Sequence, residues 1–195
     1  MSIELQWGLP ARLRLPAATL IYDTFNSKFR YTLGPRGKGI RFIANSFRAE
    51  YGLVAFSKGE FVGLAGARNN EGELIDIRLS SLVKTYHIRT PLSFFIGFPF
   101  WFEKRSPSVL TVSNIAVKDT SRAQGIGTQI LQEFIRYGTA QGYQMLQLEV
   151  INSNVRAKAL YHRLGFRITN YSSIPLPWSH LLGFTGTYEM TYPLV

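Results

Sequence analysis

From Val109 onward the chain alternates between apolar runs of strand type and amphipathic runs of helix type, and this constrains its fold more than any other feature. Val109 to Val117 reads as a strand, Thr128 to Ala140 as a helix and Met145 to Ile151 as a strand. Val155 to Leu164 then reads as a helix and Phe166 to Tyr171 as a strand. Strands joined through helices pair in parallel by right-handed crossovers, with the helices covering the sheet. A last run, Thr185 to Leu194, adds one more strand after a loop containing Pro and Trp. The expectation is a mixed α/β fold.

The first half is less regular. Residues 2–8 alternate around Ile3, Leu5 and Trp7 as an opening strand closed by Pro10. Leu13, Ala17, Leu20, Ile21 and Phe25 recur at helical spacing between Ala11 and Phe29, with Pro16 either breaking that helix or marking its first turn. A glycine-rich turn, Gly34 to Gly39, precedes a short helix carrying Ile40, Ile43 and Phe47. It is not a P-loop, because Lys38 is followed by Gly39 where Ser or Thr is needed. Tyr51 to Phe56 and Phe61 to Ala67 flank Ser57-Lys58-Gly59-Glu60 as a hairpin. Residues 73–105, ending in an aromatic stretch, read as an insertion or lid within a single domain spanning 1–195.

Twenty-two Lys and Arg against 12 Asp and Glu give a net charge of +10, so the surface field attracts anions. Nucleic acid, an anionic membrane surface, an acidic protein and a phosphorylated cofactor all fit that sign. With no cysteine, disulfides, thiolate metal sites and cysteine nucleophiles are excluded. His87, His162 and His180 form no metal-like pair, and no metal is expected. The opening MSIELQWGLP does not read as a secretory signal, which makes a cytoplasmic location the expectation. The longest apolar run, Pro91 to Phe102, is far short of the roughly 20 residues of a spanning helix.

The chemistry is concentrated in Arg122-Ala123-Gln124-Gly125-Ile126-Gly127-Thr128, which follows an apolar strand and opens a helix. Unpaired N–H groups and the macrodipole make a helix N-terminus an anion site. Two glycines let a pyrophosphate approach the backbone, and Arg122 can add charge. The dinucleotide fingerprint would need a third glycine where Ile130 stands, so a pyrophosphate other than that of NAD is favoured. A tight turn that binds nothing is the competing reading of these residues taken alone.

That turn is followed in order by Leu148-Glu149-Val150, Asn154, Ala157, Leu160-Tyr161 and Leu164-Gly165-Phe166. Over residues 109–171 the pattern resembles the GNAT superfamily of acyl-CoA N-acyltransferases, with Ala123 where that motif often has glycine. The resemblance implies a splayed mixed sheet of about six to seven strands flanked by about four helices. It also implies acetyl-CoA held between strands 109–117 and 145–151 and direct acetyl transfer to an amine. Backbone groups of Ile115 and Val117 would then bind the pantetheine arm, and amides from Gln124 through Gly125, Ile126 and Gly127 to Thr128 the pyrophosphate. Tyr161 would donate to the departing CoA sulfur. Glu149, twelve residues earlier, is placed like the base of ribosomal-protein alanine acetyltransferases.

Each role has a plainer counterpart. Asn154 can cap its helix, with or without touching the cofactor arm. Tyr161 can be a core tyrosine, and Glu149 can simply be solvated or line the cleft. Trp101 and Trp178 belong to segments that could form an acceptor pocket or extend the core. The acceptor is open among small amines, antibiotics, lysine side chains, protein N-termini and aminoacyl-tRNA. A non-catalytic CoA-binding sensor, a membrane-peripheral enzyme and a homodimer also remain open.

Overall fold

The structure is a computed structural model that describes residues 3–86 and 106–194. Its centre is a seven-stranded sheet ordered β1-β2-β3-β4-β5-β7-β6. The strands are β1 (Ile3–Trp7), β2 (Gly52–Ser57), β3 (Glu60–Arg68), β4 (Val109–Val117), β5 (Met145–Ile151), β6 (Arg167–Ser173) and β7 (Gly186–Pro193). Seven α-helices are described: α1 (Arg14–Thr24), α2 (Asn26–Thr32), α3 (Arg36–Ser46), α4 (Leu79–Tyr86), α5 (Ile126–Ala140), α6 (Val155–Arg163) and α7 (Trp178–Leu182).

The helix count exceeds the expected four for local reasons. The helix expected over 11–29 is interrupted at Phe25, which has left helical geometry at φ −109° and ψ 28°. Pro16 sits in the first turn of α1, where its missing N–H costs nothing. Short α4 and α7 arise inside segments that read as insertion and loop. The remainder of the insertion, 87–105, including Trp101 and His87, lies outside the described residues.

Only β4 and β5 run parallel; every other neighbouring pair is antiparallel. Parallel neighbours throughout the second half were the expectation, and β7 changes this by returning between β5 and β6. Met190 of β7 is fully buried, whereas all of β6 is exposed, so β7 covers the flank of the core and leaves β6 as the edge.

Apolar residues divide the two faces. Gly138 of α5 packs beside Leu110, and Leu110 and Val112 pair in register with Leu146 and Leu148. That face therefore receives α5, whose Ile126, Ile130, Leu131 and Phe134 are buried. Trp7 of β1 packs on the same helix, with its ring 5.1 Å from Phe134 and its Nε1–H donating to Glu133 at 2.8 Å. On α6, Lys158 lies over Tyr188, the register partner of Val150, so α6 shares this face. Residues of odd number on β5 point the other way.

Candidate active site

The parallel ladder between β4 and β5 runs from Val109↔Met145 to Val112↔Leu148 and then stops, leaving Ser113–Val117 without a partner on that side. A β-bulge marks the parting: opposite Leu64–Gly66 of β3, β4 carries an extra residue, and Asn114 takes a left-handed φ of 52°. Bulges bend a strand and re-aim its polar groups. Ile115 and Val117 thus lie on the stretch whose backbone faces the opening.

Beside this opening stands the N-terminus of α5. Ala123 and Gly125 both have positive φ, 61° and 78°, which turns the backbone sharply on either side of Gln124. Gly125 occupies the N-cap with no side-chain cap, and the first turn of α5 carries no acidic residue. Nothing lies within 4 Å of where a Gly125 side chain would begin, so this is open space on the approach to the amides. Gly127 answers a different need, since a side chain there would press on Leu160 of α6 at 3.3 Å. The turn, its unpaired donors and its lack of negative charge fit a diphosphate. Arg122 is paired with Asp119 at 2.7 Å, an exposed ion pair of the kind that an incoming phosphate can exchange.

Asn154 caps α6, its Oδ1 accepting from the Ala157 N–H at 3.1 Å. Tyr161, two turns along, is 7% exposed and packs against Phe166. Burial pushes its phenol up to about 12, so it is a proton donor throughout the neutral range. His162 is exposed beside it.

Glu149 follows Leu148, the last residue of β5 paired to β4, and points to the face away from α5. Although Glu149 keeps contact with solvent, lost hydration is the largest influence on its carboxyl and raises it above the usual range. Arg68 and Lys28 oppose that rise, and Glu189 adds to it. Tyr161, on α6, and Glu149, an odd-numbered residue of β5, therefore lie on opposite faces of the sheet.

Three charged neighbours of Glu149 escaped the reading of the sequence. Lys28 lies on α2, Arg68 ends β3 and Glu189 is the register partner of Glu149 on β7. Burial brings the Lys28 amine down to about 8, against the pull of Glu149 and with the push of Arg68. A lone Glu within the apolar alternation of the last strand was the available signal. Trp178 begins α7, which contacts α2. Among the described residues no cluster of His, Asp and Glu could hold a metal, and no helix is long and apolar enough to cross a membrane.

A strand parting beside a glycine-bearing helix turn, within this strand order, defines a class of acyl-group transferases. The Acetyltransferase (GNAT) family model matches residues 19–166, and the chain belongs to that family of acetyltransferases. It is similar to the N-acetyltransferase YvbK of Bacillus subtilis, 31% identical over 65 residues, 33% of this chain and 42% of that one. It is also similar to the L-methionine sulfoximine/L-methionine sulfone acetyltransferase of Pseudomonas aeruginosa, 34% identical over 56 residues, 29% of this chain and 33% of that one. The matches thus span less than half the length of these relatives. The ribosomal-protein-S18-alanine N-acetyltransferase of Escherichia coli shares the fold, with a TM-score of 0.59 at 20% identity over 99% of this chain and 94% of that one.

Proposed function

We propose that the chain transfers the acetyl group of acetyl-CoA directly to an amine, at the parting of β4 and β5. The observation that supports this reading is that β4 and β5 part after Val112↔Leu148, directly before Glu149, with the glycine-bearing turn that opens α5 following β4. The amides of Gln124 to Thr128 would hold the diphosphate, and the free backbone of Ile115 and Val117 the amides of the pantetheine arm. Acetyl-CoA supplies a thioester carbonyl carbon as electrophile.

The residues divide the proton traffic. An alkylammonium, with an ordinary pKa near 10.4, must lose a proton before its nitrogen can attack, and the ionised Glu149 carboxylate accepts it. As the new C–N bond forms and the C–S bond breaks, electron density moves to sulfur. Tyr161, protonated across the neutral range, gives that sulfur a hydrogen bond or its proton. As the amide forms the nitrogen sheds its second proton, which replaces the one Tyr161 gave to sulfur, and Glu149 returns the first to solvent, so the products are an amide, the CoA thiol and one released proton.

The test is release of the CoA thiol from acetyl-CoA on addition of amines to the purified chain. Turnover lost in both Glu149→Gln and Tyr161→Phe supports the assignment. A chain that binds acetyl-CoA yet releases no thiol with any of a broad panel of amines would instead be a non-catalytic CoA-binding protein.

A further inference from the structure

The sheet face away from α5 carries charge of both signs beside the point where β4 and β5 part. Glu149 and Glu189 stand in register, and the Thr169 hydroxyl of β6 donates to Glu189 Oε1 at 3.1 Å, which ties one carboxylate to the edge strand. Arg68, at the end of β3, is in register with Thr111 of β4, which pairs with Gln147 of β5, two residues from Glu149 on the same side of that strand. Lys28 comes from α2, and the charges of both act on Glu149. Glu73, which bridges to Arg68 through the backbone, acts on Lys28. Charged groups from α2, β3, the turn after β3, β5 and β7 thus converge beside the candidate base.

Such a cluster does little for a scaffold. Glu149 is exposed and Lys28, Arg68, Glu73 and Glu189 are half-buried, and ion pairs open to solvent in this way add little to stability. Its composition also bears on what can enter. An acceptor carrying only an ammonium is drawn by Glu149 and Glu189 but repelled by Arg68 and Lys28. An acceptor carrying an acid group next to its amine answers both pairs: its ammonium takes the place of the cations before the glutamates, and its acid takes the place of the glutamates before the cations. The guanidinium fork of Arg68 suits a planar carboxylate in particular.

Resting on the acetyltransferase reading above, we propose that the acceptor is a small zwitterion of the α-amino-acid class. Its amine is directed to the Glu149–Glu189 pair and its acid group to Arg68 and Lys28.

Matched acceptors test this with the full chain. Thiol release from acetyl-CoA is measured with L-phenylalanine against phenethylamine, L-leucine against 3-methylbutylamine, and L-methionine against 3-(methylthio)propylamine. Within at least one pair the amino acid should have the higher kcat/KM by about tenfold to a hundredfold, the range of a charge-assisted hydrogen bond. Arg68→Gln should collapse that ratio towards unity, and Arg68→Lys should restore part of it, which a merely structural role would not do. Three outcomes overturn the proposal: decarboxylated amines equal to or better than their amino acids, a ratio unmoved by Arg68→Gln, or no turnover of either set by a chain whose melting temperature acetyl-CoA raises. Absence of any melting shift with acetyl-CoA overturns the acetyltransferase reading instead.

Discussion

Glu149 of β5 and Glu189 of β7 are direct register partners across an antiparallel ladder, two like charges in a place where sheets favour opposite or apolar pairs. Cross-strand partners of this kind lie close enough to interact by some tenths of a kcal/mol up to about 1 kcal/mol. Lost hydration is the main reason the Glu149 carboxyl is more basic than an ordinary glutamate, and Glu189 adds to it against the pull of Arg68 and Lys28, which suits a proton acceptor at the expense of stability.

The first prediction follows from that sign. The Glu149 carboxyl is raised above its ordinary 4.5 in the folded chain, so its ionised form opposes folding at neutral pH. This penalty is absent below the unfolded value and sets in as pH rises through the raised one. Glu149→Gln should therefore raise the melting temperature at pH 7.5, and the gain should shrink towards pH 4. The same variant should lose the rise of acetyl transfer with pH. A loss of melting temperature at neutral pH, with an unchanged pH–rate profile, would remove Glu149 from the chemistry.

Tyr161 gives the second prediction. Its hydroxyl is held back from ionisation until about pH 12, so no tyrosinate step should appear in the pH–rate profile of the working range. Tyr161→Phe keeps the packing on Phe166 and removes only the donor. It should lower kcat by about tenfold to a thousandfold, as general acids do, and change acetyl-CoA affinity little. A comparable loss in affinity would mean that the hydroxyl binds the cofactor arm and does not serve the departing sulfur.

The glycine turn before α5 and the capped helix after β5 were legible in the sequence, and the charged cluster around Glu149 was not. Glycines mark the turn before α5 because Gly125 takes a positive φ and Gly127 packs against Leu160, and the twelve-residue interval from Glu149 to Tyr161 runs as a strand, a capped turn and two helical turns. The charged cluster is assembled from Lys28, Arg68, Glu73 and Glu189, which are far apart in the chain and meet only through the fold. Nothing in local periodicity reports that β7 returns between β5 and β6. The bulge at Asn114 was equally hidden, since a left-handed asparagine leaves the apolar alternation of β4 almost intact. Phe25 shows the converse case: helical spacing continues across it while the backbone breaks.

The third prediction concerns Gly125. Acetyl-CoA should raise the melting temperature, because a ligand that binds only the folded chain stabilises it by mass action. With φ at 78° and open space beyond, Gly125→Ala meets no atom and suffers only backbone strain of about 1–2 kcal/mol. It should lower stability modestly and retain a reduced shift. Gly125→Glu should abolish the shift, since a carboxylate then stands on the approach to the amides. A melting shift produced by NAD, or one equally strong in Gly125→Glu, would place the cofactor elsewhere.

Trp178 supplies the last prediction, and a neighbour on the same helix supplies its control. Leu182, at the other end of α7, is 1% exposed; Leu182→Ala should cost about 2–5 kcal/mol. Trp178 is only partly buried, and α7 contacts α2, the helix that brings Lys28 to Glu149. An indole in that position can offer the acceptor a flat apolar surface. If it does, Trp178→Ala should raise the KM for the acceptor by about tenfold, a contact of roughly 1.4 kcal/mol, with the acetyl-CoA melting shift intact. The comparison decides between pocket and scaffold: a melting loss matching that of Leu182→Ala, with no selective change in acceptor KM, makes Trp178 part of the core.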